Sequence, residues 1–400
     1  MPRWWSFTQR PNFLMYDIAL LLHIYQPPTQ YPEILREIAE TSYRPLMRVL
    51  KETPRARVTL NICGSLTEQL EHLGYQDILS DIRLLVEDGK VVLTGSAKYH
   101  PLLPKLPPQE IKHQIQLNQE TNERLLGRFE PQGFFLPELA YTFHVGRLIE
   151  QMGFTWLIVE DLAFADEEHR RHDRIYGIEG TKLNVIFRDR LLSLGIAFGS
   201  HKSPESFLKS LEAKGEEGYS VLAMDGETFG HHHRGAMDLL MGLLSLPEIN
   251  WLTVPSLLKK YETKREDVNV LPSTWGLMEV GPRQERIFPR WDNPDNPLHV
   301  KQWQLFYLAL SVMMRCNADQ EGYLMARAVF DKAVHSDQFF WAGGDPCWHP
   351  GMVERGASLL CRAVEQSPSA FPEEKEKARV LVREIVGLGK KLFGEKIILE

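Results

Sequence analysis

Seven short apolar runs, each separated from the next by a longer stretch of mixed polarity, constrain this chain more than any other feature. They are IALLLHI (18–24), RVTLNIC (57–63), KVVLTGSA (90–97), GFFLPELA (133–140), TWLIVED (155–161), LNVIFRD (183–189) and YSVLAMDGE (219–227). Near-continuous apolarity rich in β-branched residues suits strands buried on both faces, as in a parallel sheet. The stretches between them read as helices. In YPEILREIAETSYRPLMRVLKE, for instance, Ile34, Leu35, Ile38, Leu46, Val49 and Leu50 can share a face, and Ser203, Glu205 and Ser206 mark the start of another helix. Alternating βα units predict an α/β fold, either a (β/α)7 barrel of distorted TIM-like form or an open doubly wound sheet.

The polar residues favour the barrel. Nearly every run ends, on its C-terminal side, in a group capable of chemistry: His23, Asn61, His100 just beyond the third run, Glu138, Glu160 with Asp161, Arg188 with Asp189, and Asp225 with Glu227. Barrel sites are assembled from the C-terminal ends of several strands, so this convergence is expected of one. After Gly230 the pattern changes. WLTVPSLLKKY (251–261) reads as one more short strand and helix, 271–299 as an ordered loop rich in Pro and Asn, and everything from 300 onward as helical. The predicted organisation is therefore an N-terminal tail (1–16), a catalytic barrel (17–270), an active-site loop (271–299) and a C-terminal helical bundle (300–400).

Charge and cysteine content narrow the partners. A net charge of −7, with Lys and Arg scattered, argues against nucleic acid, because no basic excess exists to neutralise phosphates. No apolar run reaches the roughly 20 residues that span a membrane. The start of the chain shows no long apolar segment of the secretory kind. Cys63, Cys316, Cys347 and Cys361 have no C-x-x-C spacing and read as reduced thiols, so a soluble, cytoplasmic protein is expected. The sequence sets no oligomeric state.

Two segments carry the sharpest chemistry. FFLPELAYT puts Glu138 at a strand end with Pro137 stiffening the approach. VLAMDGETFGHHH puts Asp225 and Glu227 one glycine apart, where like charges repel in a poorly solvated pocket. The plainer alternatives are a solvated Glu and an acidic turn capping the next helix. Taken together, Glu138 and Asp225 form the carboxylate pair that glycoside hydrolysis needs, one to attack the anomeric carbon and one to protonate the leaving oxygen. His231, His232 and His233 invite a metal reading, but consecutive residues rarely point the same way, and a substrate contact for one of them is the simpler expectation. No metal or organic cofactor is predicted. Trp275, Trp291, Trp341 and Trp348 fall in loop-like stretches, where an aromatic face could carry a sugar ring.

At these residues the chain resembles glycoside hydrolase family 57, the α-amylase-like family of amylases, 4-α-glucanotransferases, branching enzymes and α-galactosidases. LLHIYQPP (21–28), GSLTEQL (64–70), GFFLPELAY (133–141), MDGETFGHH (224–232) and, less closely, HSDQFFWAGG (335–344) look like its five recurring regions, in order, over about residues 17–345. The resemblance implies a (β/α)7 barrel followed by helices, and retention of configuration with Glu138 as nucleophile and Asp225 as acid/base. It also implies an α-glucan substrate, with His23, Glu68, Glu227 and Asp337 lining the subsite around the bond being cut. Tyr25, Gln26, His100, His231, Trp275 and Trp341 complete the expected substrate contacts. Tyr25 stands where the family's first region usually has a second His, and Phe135 where the third often has Trp. Two competing readings remain: a metal-dependent deacetylase or α-mannosidase-like hydrolase using His231–His233 with Asp225 or Asp17, and a catalytically degenerate glycan-binding barrel.

Overall fold

The computed structural model describes residues 15–166, 169–214, 218–276, 287–344, 347–394 and 396–397. The expected N-terminal tail, apart from its last two residues, and positions 277–286 of the 271–299 loop lie outside them. The described residues form ten strands: β1 (Tyr16–Ile24), β2 (Val58–Ile62), β3 (Val91–Thr94), β4 (Gly133–Phe135), β5 (Trp156–Glu160), β6 (Ile175–Ile178), β7 (Asn184–Arg188), β8 (Tyr219–Asp225), β9 (Ile249–Leu252) and β10 (Arg265–Val268). The seven apolar runs are β1, β2, β3, β4, β5, β7 and β8. The strand and helix expected at 251–261 are β9 and Val254–Tyr261.

These seven strands run parallel in two arcs, β3-β2-β1-β8 and β7-β5-β4. Short seams join the arcs into a ring. At one, Gly95 N donates to Gly133 O (2.8 Å) and Phe135 N to Gly95 O (2.9 Å). At the other, Asp189 N donates to Val221 O (2.7 Å) and the Arg188 Nε to Ala223 O (2.8 Å). The result is the (β/α)7 barrel that the runs predict. β6 pairs antiparallel with β7 and carries β10 on its other edge, outside the ring, and β9 pairs with the first half of β1.

Alternation along each strand decides what faces inward. Ala19, Leu21, Ile158, Ile186, Val221 and Ala223 fill the barrel interior. The intervening Ile18, Leu20, Leu22, Leu60 and Leu222 pack outward on the helices that carry Leu35, Ile38, Leu46 and Leu50. Continuing the inward alternation to the strand ends brings His23, Asn61 and Thr94 into register across β1–β3, Asp225 beside His23, and Arg188 beside Glu160. The polar residues that end the runs therefore cap the interior as one layer.

One expected helix is broken. Pro32–Ile38 and Arg44–Glu52 are separated by a wide π-helical turn, Ala39–Tyr43. Ile34 faces solvent, while Leu35, Ile38, Leu46, Val49 and Leu50 are buried. Beyond the barrel, helices Pro297–Met314, Tyr323–Ala333, Pro350–Gln366 and Pro372–Phe393 share a core with β5 and β7 through Leu305, Phe306, Phe330, Leu360 and Ile385. Arg327 clamps this layer to helix Pro108–Leu126: its Nη1 reaches Glu110 Oε1 (2.9 Å) and its Nε reaches Asp331 Oδ1 (2.8 Å). Among the described residues no helix is long and apolar enough to cross a membrane.

Candidate active site

Glu138 sits where β4 ends, in a left-handed backbone conformation (φ 59°, ψ 16°) that a residue with a Cβ rarely adopts. Leu139 (φ 46°) and His100 (φ 52°) share that conformation; among the described residues these are the non-glycine positions with positive φ. Such strain costs on the order of 1–3 kcal/mol per residue and persists only where the surroundings enforce it. Here the enforcement comes from segment 271–276. Thr274 Oγ1 and Trp275 N both donate to Glu138 O (2.6 and 3.2 Å), and Tyr141 and Ser273 exchange backbone bonds beside it.

The Glu138 carboxyl is buried and held at both oxygens. Ser336 Oγ donates to Oε1 (2.7 Å) and Trp275 Nε1 to Oε2 (2.8 Å). Since the Ser336 hydroxyl spends its proton on Glu138, its oxygen accepts from His100 Nδ1 (3.2 Å). Burial, then the nearby Asp337 charge, pushes Glu138 up to about 8, against the lowering effect of the two donors.

The second carboxylate group comes from the end of β8. Glu227 Oε1 accepts from Tyr25 N (3.3 Å), from Gln26 Nε2 (3.2 Å) and from the Tyr43 hydroxyl. Asp225 lies opposite His23 in the β1–β8 ladder. Burial raises both carboxyls, and the repulsion of Asp225 adds to it at Glu227. At Asp337 burial also opposes the charge, but the His335 ring (3.3 Å), His100 and the Tyr25 hydroxyl (2.7 Å) outweigh it and hold this carboxyl below its usual range. The cluster thus holds one favoured anion, Asp337, among three carboxyls that resist ionising.

Rings wall the pocket. Phe135, His23, His100 and Tyr25 stack in succession, with centroids 4.4, 4.9 and 4.2 Å apart, and Trp275 meets His23 and Phe135 edge-on. Burial pulls both histidines down to about 4, so each is neutral at neutral pH. Asn61 Nδ2 donates to Thr94 Oγ1 (2.9 Å), which turns Asn61 Oδ1 toward His23 Nδ1 (2.7 Å). His23 therefore carries its proton on Nδ1, leaving Nε2 as an acceptor for a hydroxyl.

Nine of the expected site residues come together here: His23, Tyr25, Gln26, His100, Glu138, Asp225, Glu227, Trp275 and Asp337. Three are engaged elsewhere. Glu68 pairs with Lys98 (2.8 Å) and Arg124 (3.5 Å) on helix Gly64–His72. His231 reaches Glu227 only through its backbone, N to O at 3.2 Å, and its ring lies beside His232 (5.6 Å). Trp341 follows the short helix Asp337–Phe340, its ring 5.9 Å from His349. Sequence reasoning missed Ser336 and Tyr43 as members. Asn61, Glu160 and Arg188 showed as strand-end groups but were assigned no role. The zinc reading that enlists Asp17 meets a geometric obstacle: Asp17 is opposite Tyr219 at the start of β8, about 20 Å of strand from Asp225, and binds Lys260, Asn250 and Tyr261.

The glycosyl hydrolase family 57 model matches residues 20–266. An α-amylase of Pyrococcus abyssi is 26% identical over 213 residues, covering 52% of this chain and 32% of that protein. A 4-α-glucanotransferase of Thermococcus kodakarensis is 28% identical over 225 residues, 54% of this chain and 33% of that one. The chain's match thus spans about a third of the length of these relatives. In three dimensions it is similar to the GH57-type branching enzyme of Pyrococcus horikoshii, with a TM-score of 0.69 at 18% identity over 92% of this chain and 94% of that one, a likeness of fold. With the family model spanning more than half of its residues, the chain belongs to glycosyl hydrolase family 57.

Proposed function

We propose that this chain is a retaining glycoside hydrolase or transglycosylase acting on α-linked glucans, with Glu138 as nucleophile and Asp225 as acid/base. The observation that carries the reading is the strained Glu138 turn. The fold holds a buried carboxyl in an unfavourable backbone conformation, between two donors, in the same pocket as the Asp225–Glu227 pair. In the first step a Glu138 oxygen bonds to the anomeric carbon as the glycosidic C–O bond breaks, and the Asp225 proton passes to the leaving oxygen. In the second, Asp225 takes a proton from water or a sugar hydroxyl, whose oxygen displaces Glu138. The positive charge that develops on the sugar ring favours the ionised form of Glu138, opposing the burial that favours its protonated form.

Around the reacting carbon, His23, Tyr25, Gln26, His100, Glu227 and Asp337 would hold hydroxyls, and Trp275 would face the ring. Glu68, His231 and Trp341 would act farther along the glycan. Four free cysteines support a reducing, cytoplasmic setting. The test is incubation with a maltooligosaccharide of defined length, with Glu138→Gln and Asp225→Asn as controls. Shorter products alone mean hydrolysis; longer and shorter products together mean transfer. Turnover that survives in either variant refutes the assignment of the pair.

A further inference from the structure

We propose that Arg188 is a positioning residue for the acid/base carboxyl: a fixed, buried cation wedged between the strand that carries Asp225 and the indole that holds Glu138. The proposal rests on the roles given above to Asp225 and Glu138. Arg188 closes the inward-facing series of β7, and its guanidinium is fixed from two directions. Its Nε donates to Ala223 O (2.8 Å), two residues before Asp225 on β8, and its Nη1 to Glu160 Oε2 (2.9 Å) at the end of β5. Both partners of the ion pair are buried, at 4% and 0% side-chain exposure. The guanidinium lies 6.0 Å from the centre of the Trp275 ring, whose Nε1 is bonded to Glu138.

A pair that served only as a strut between β5 and β7 could be apolar, which is often neutral or stabilising at such sites. The cation also sets a permanent positive charge against the strand end that carries Asp225. The groups facing Asp225 are His23 from β1, Glu227 from the same strand end, Glu138 after β4, Tyr43 from the π-helical turn, Asp337 from the C-terminal region and Arg188 from β7. His23 is neutral at neutral pH, so among these Arg188 supplies the permanent positive charge. It favours the Asp225 anion and opposes burial and Asp337, which favour the acid. The acid/base must both release and recover a proton in one cycle, and a group pushed too far toward the acid cannot serve as the base.

The test is a titration that needs no turnover. Protein labelled with carboxyl-13C aspartate is titrated by NMR, the Asp225 signal being assigned by its loss in Asp225→Asn. In the double variant Arg188→Met with Glu160→Gln, which leaves neither charge stranded, the Asp225 midpoint moves up by about one pH unit. In Arg188→Lys, which keeps the charge, it stays within roughly half that distance of the wild type. If the double variant does not fold, Arg188→Gln, which can still donate to Glu160 or Ala223 O, shows the same upward movement. An Asp225 midpoint unchanged in the folded neutral variants overturns the proposal and leaves Arg188 a strut. Absence of activity on α-glucans with the titration as expected would overturn the substrate reading and leave this one intact.

Discussion

Replacing Glu138 by Gln tests the electrostatics of the pocket apart from its chemistry. The side chains are nearly isosteric, and at pH 4.5 or below the native carboxyl is neutral in the folded protein, so the two proteins should then differ by less than about 1 kcal/mol. Burial raises Glu138 from the ordinary 4.5 to about 8 in the folded state. Between those values the folded protein holds a proton that the unfolded chain has released, so wild-type stability falls as pH rises, by about 1.4 kcal/mol per pH unit, and levels off above pH 8. Gln has no proton to lose and escapes the decline. The variant should therefore gain on the wild type across this range, by about 3–5 kcal/mol at pH 8.5. Unfolding entropy of about 2 cal/mol/K per residue over 400 residues converts this into a Tm difference of roughly 4–6 °C. Calorimetric melts of both proteins from pH 4.5 to 9 read it directly. A Tm difference that stays flat over the range, or a variant less stable than wild type at pH 8.5, refutes the claim that Glu138 is buried at a cost in stability.

Ser336→Ala removes the 2.7 Å donor from Glu138 Oε1. A charge-assisted bond contributes about 1.5–3 kcal/mol, so the acidic limb of the pH–rate profile should move up by about one pH unit or more; a limb that stays in place removes Ser336 from the site. Arg327→Ala leaves Glu110 a buried carboxylate without its cation and Asp331 with the His113 ring (3.1 Å) as its basic neighbour. It should cost about 3–5 kcal/mol in denaturant unfolding, and a midpoint unchanged within error would mean that the helical layer is held by its apolar core alone. Gly230→Ala places a Cβ 2.0 Å from Thr41 O at φ +104°. It should destabilise by at least about 1–3 kcal/mol and weaken turnover, since Thr41 lies in the π-helical turn that carries Tyr43 to Glu227. Full activity in this variant would show that the close approach is dispensable.

The fold was legible where burial on both faces leaves an unambiguous mark. β1, β2, β5, β7 and β8 show as apolar runs because one side meets the barrel interior and the other meets helices. β10, with Arg265, Glu266 and Asp267 all exposed, carries no such mark and forms because β6 offers it an edge. The π-helical turn at 39–43 was invisible for another reason: nothing in AETSY announces it, and the bond from its last residue, Tyr43, to Glu227 is remote in sequence. In the site, charged groups at the ends of apolar runs stood out because their burial needs a reason. Hydroxyls did not, since the use of Ser336 or Tyr43 depends on a partner 198 or 184 residues away. The left-handed turn at Glu138 was equally hidden, with no glycine or asparagine at that position to signal it.

That distance in sequence bears on how the site is assembled. Both carboxylates of the proposed pair stand at the ends of barrel strands, yet two of the groups that bias their protons, Ser336 and Asp337, lie beyond the 20–266 region that the family model matches, as does His335, which holds Asp337. They reach the pocket because His100 O accepts from Ser336 N (3.0 Å) and Pro101 bridges His335, so the loop after β3 grips the chain leaving helix Tyr323–Ala333. That helix is anchored in turn by Arg327 on Glu110. A barrel without the helical layer would keep Glu138 and Asp225 on their strands. It would lose the Asp337 anion that raises Glu138 and the Ser336 donor that lowers it. The helical layer is thus as much a part of the proposed proton inventory as the barrel, and loosening it at Arg327 should change the pH dependence of turnover before it unfolds the protein.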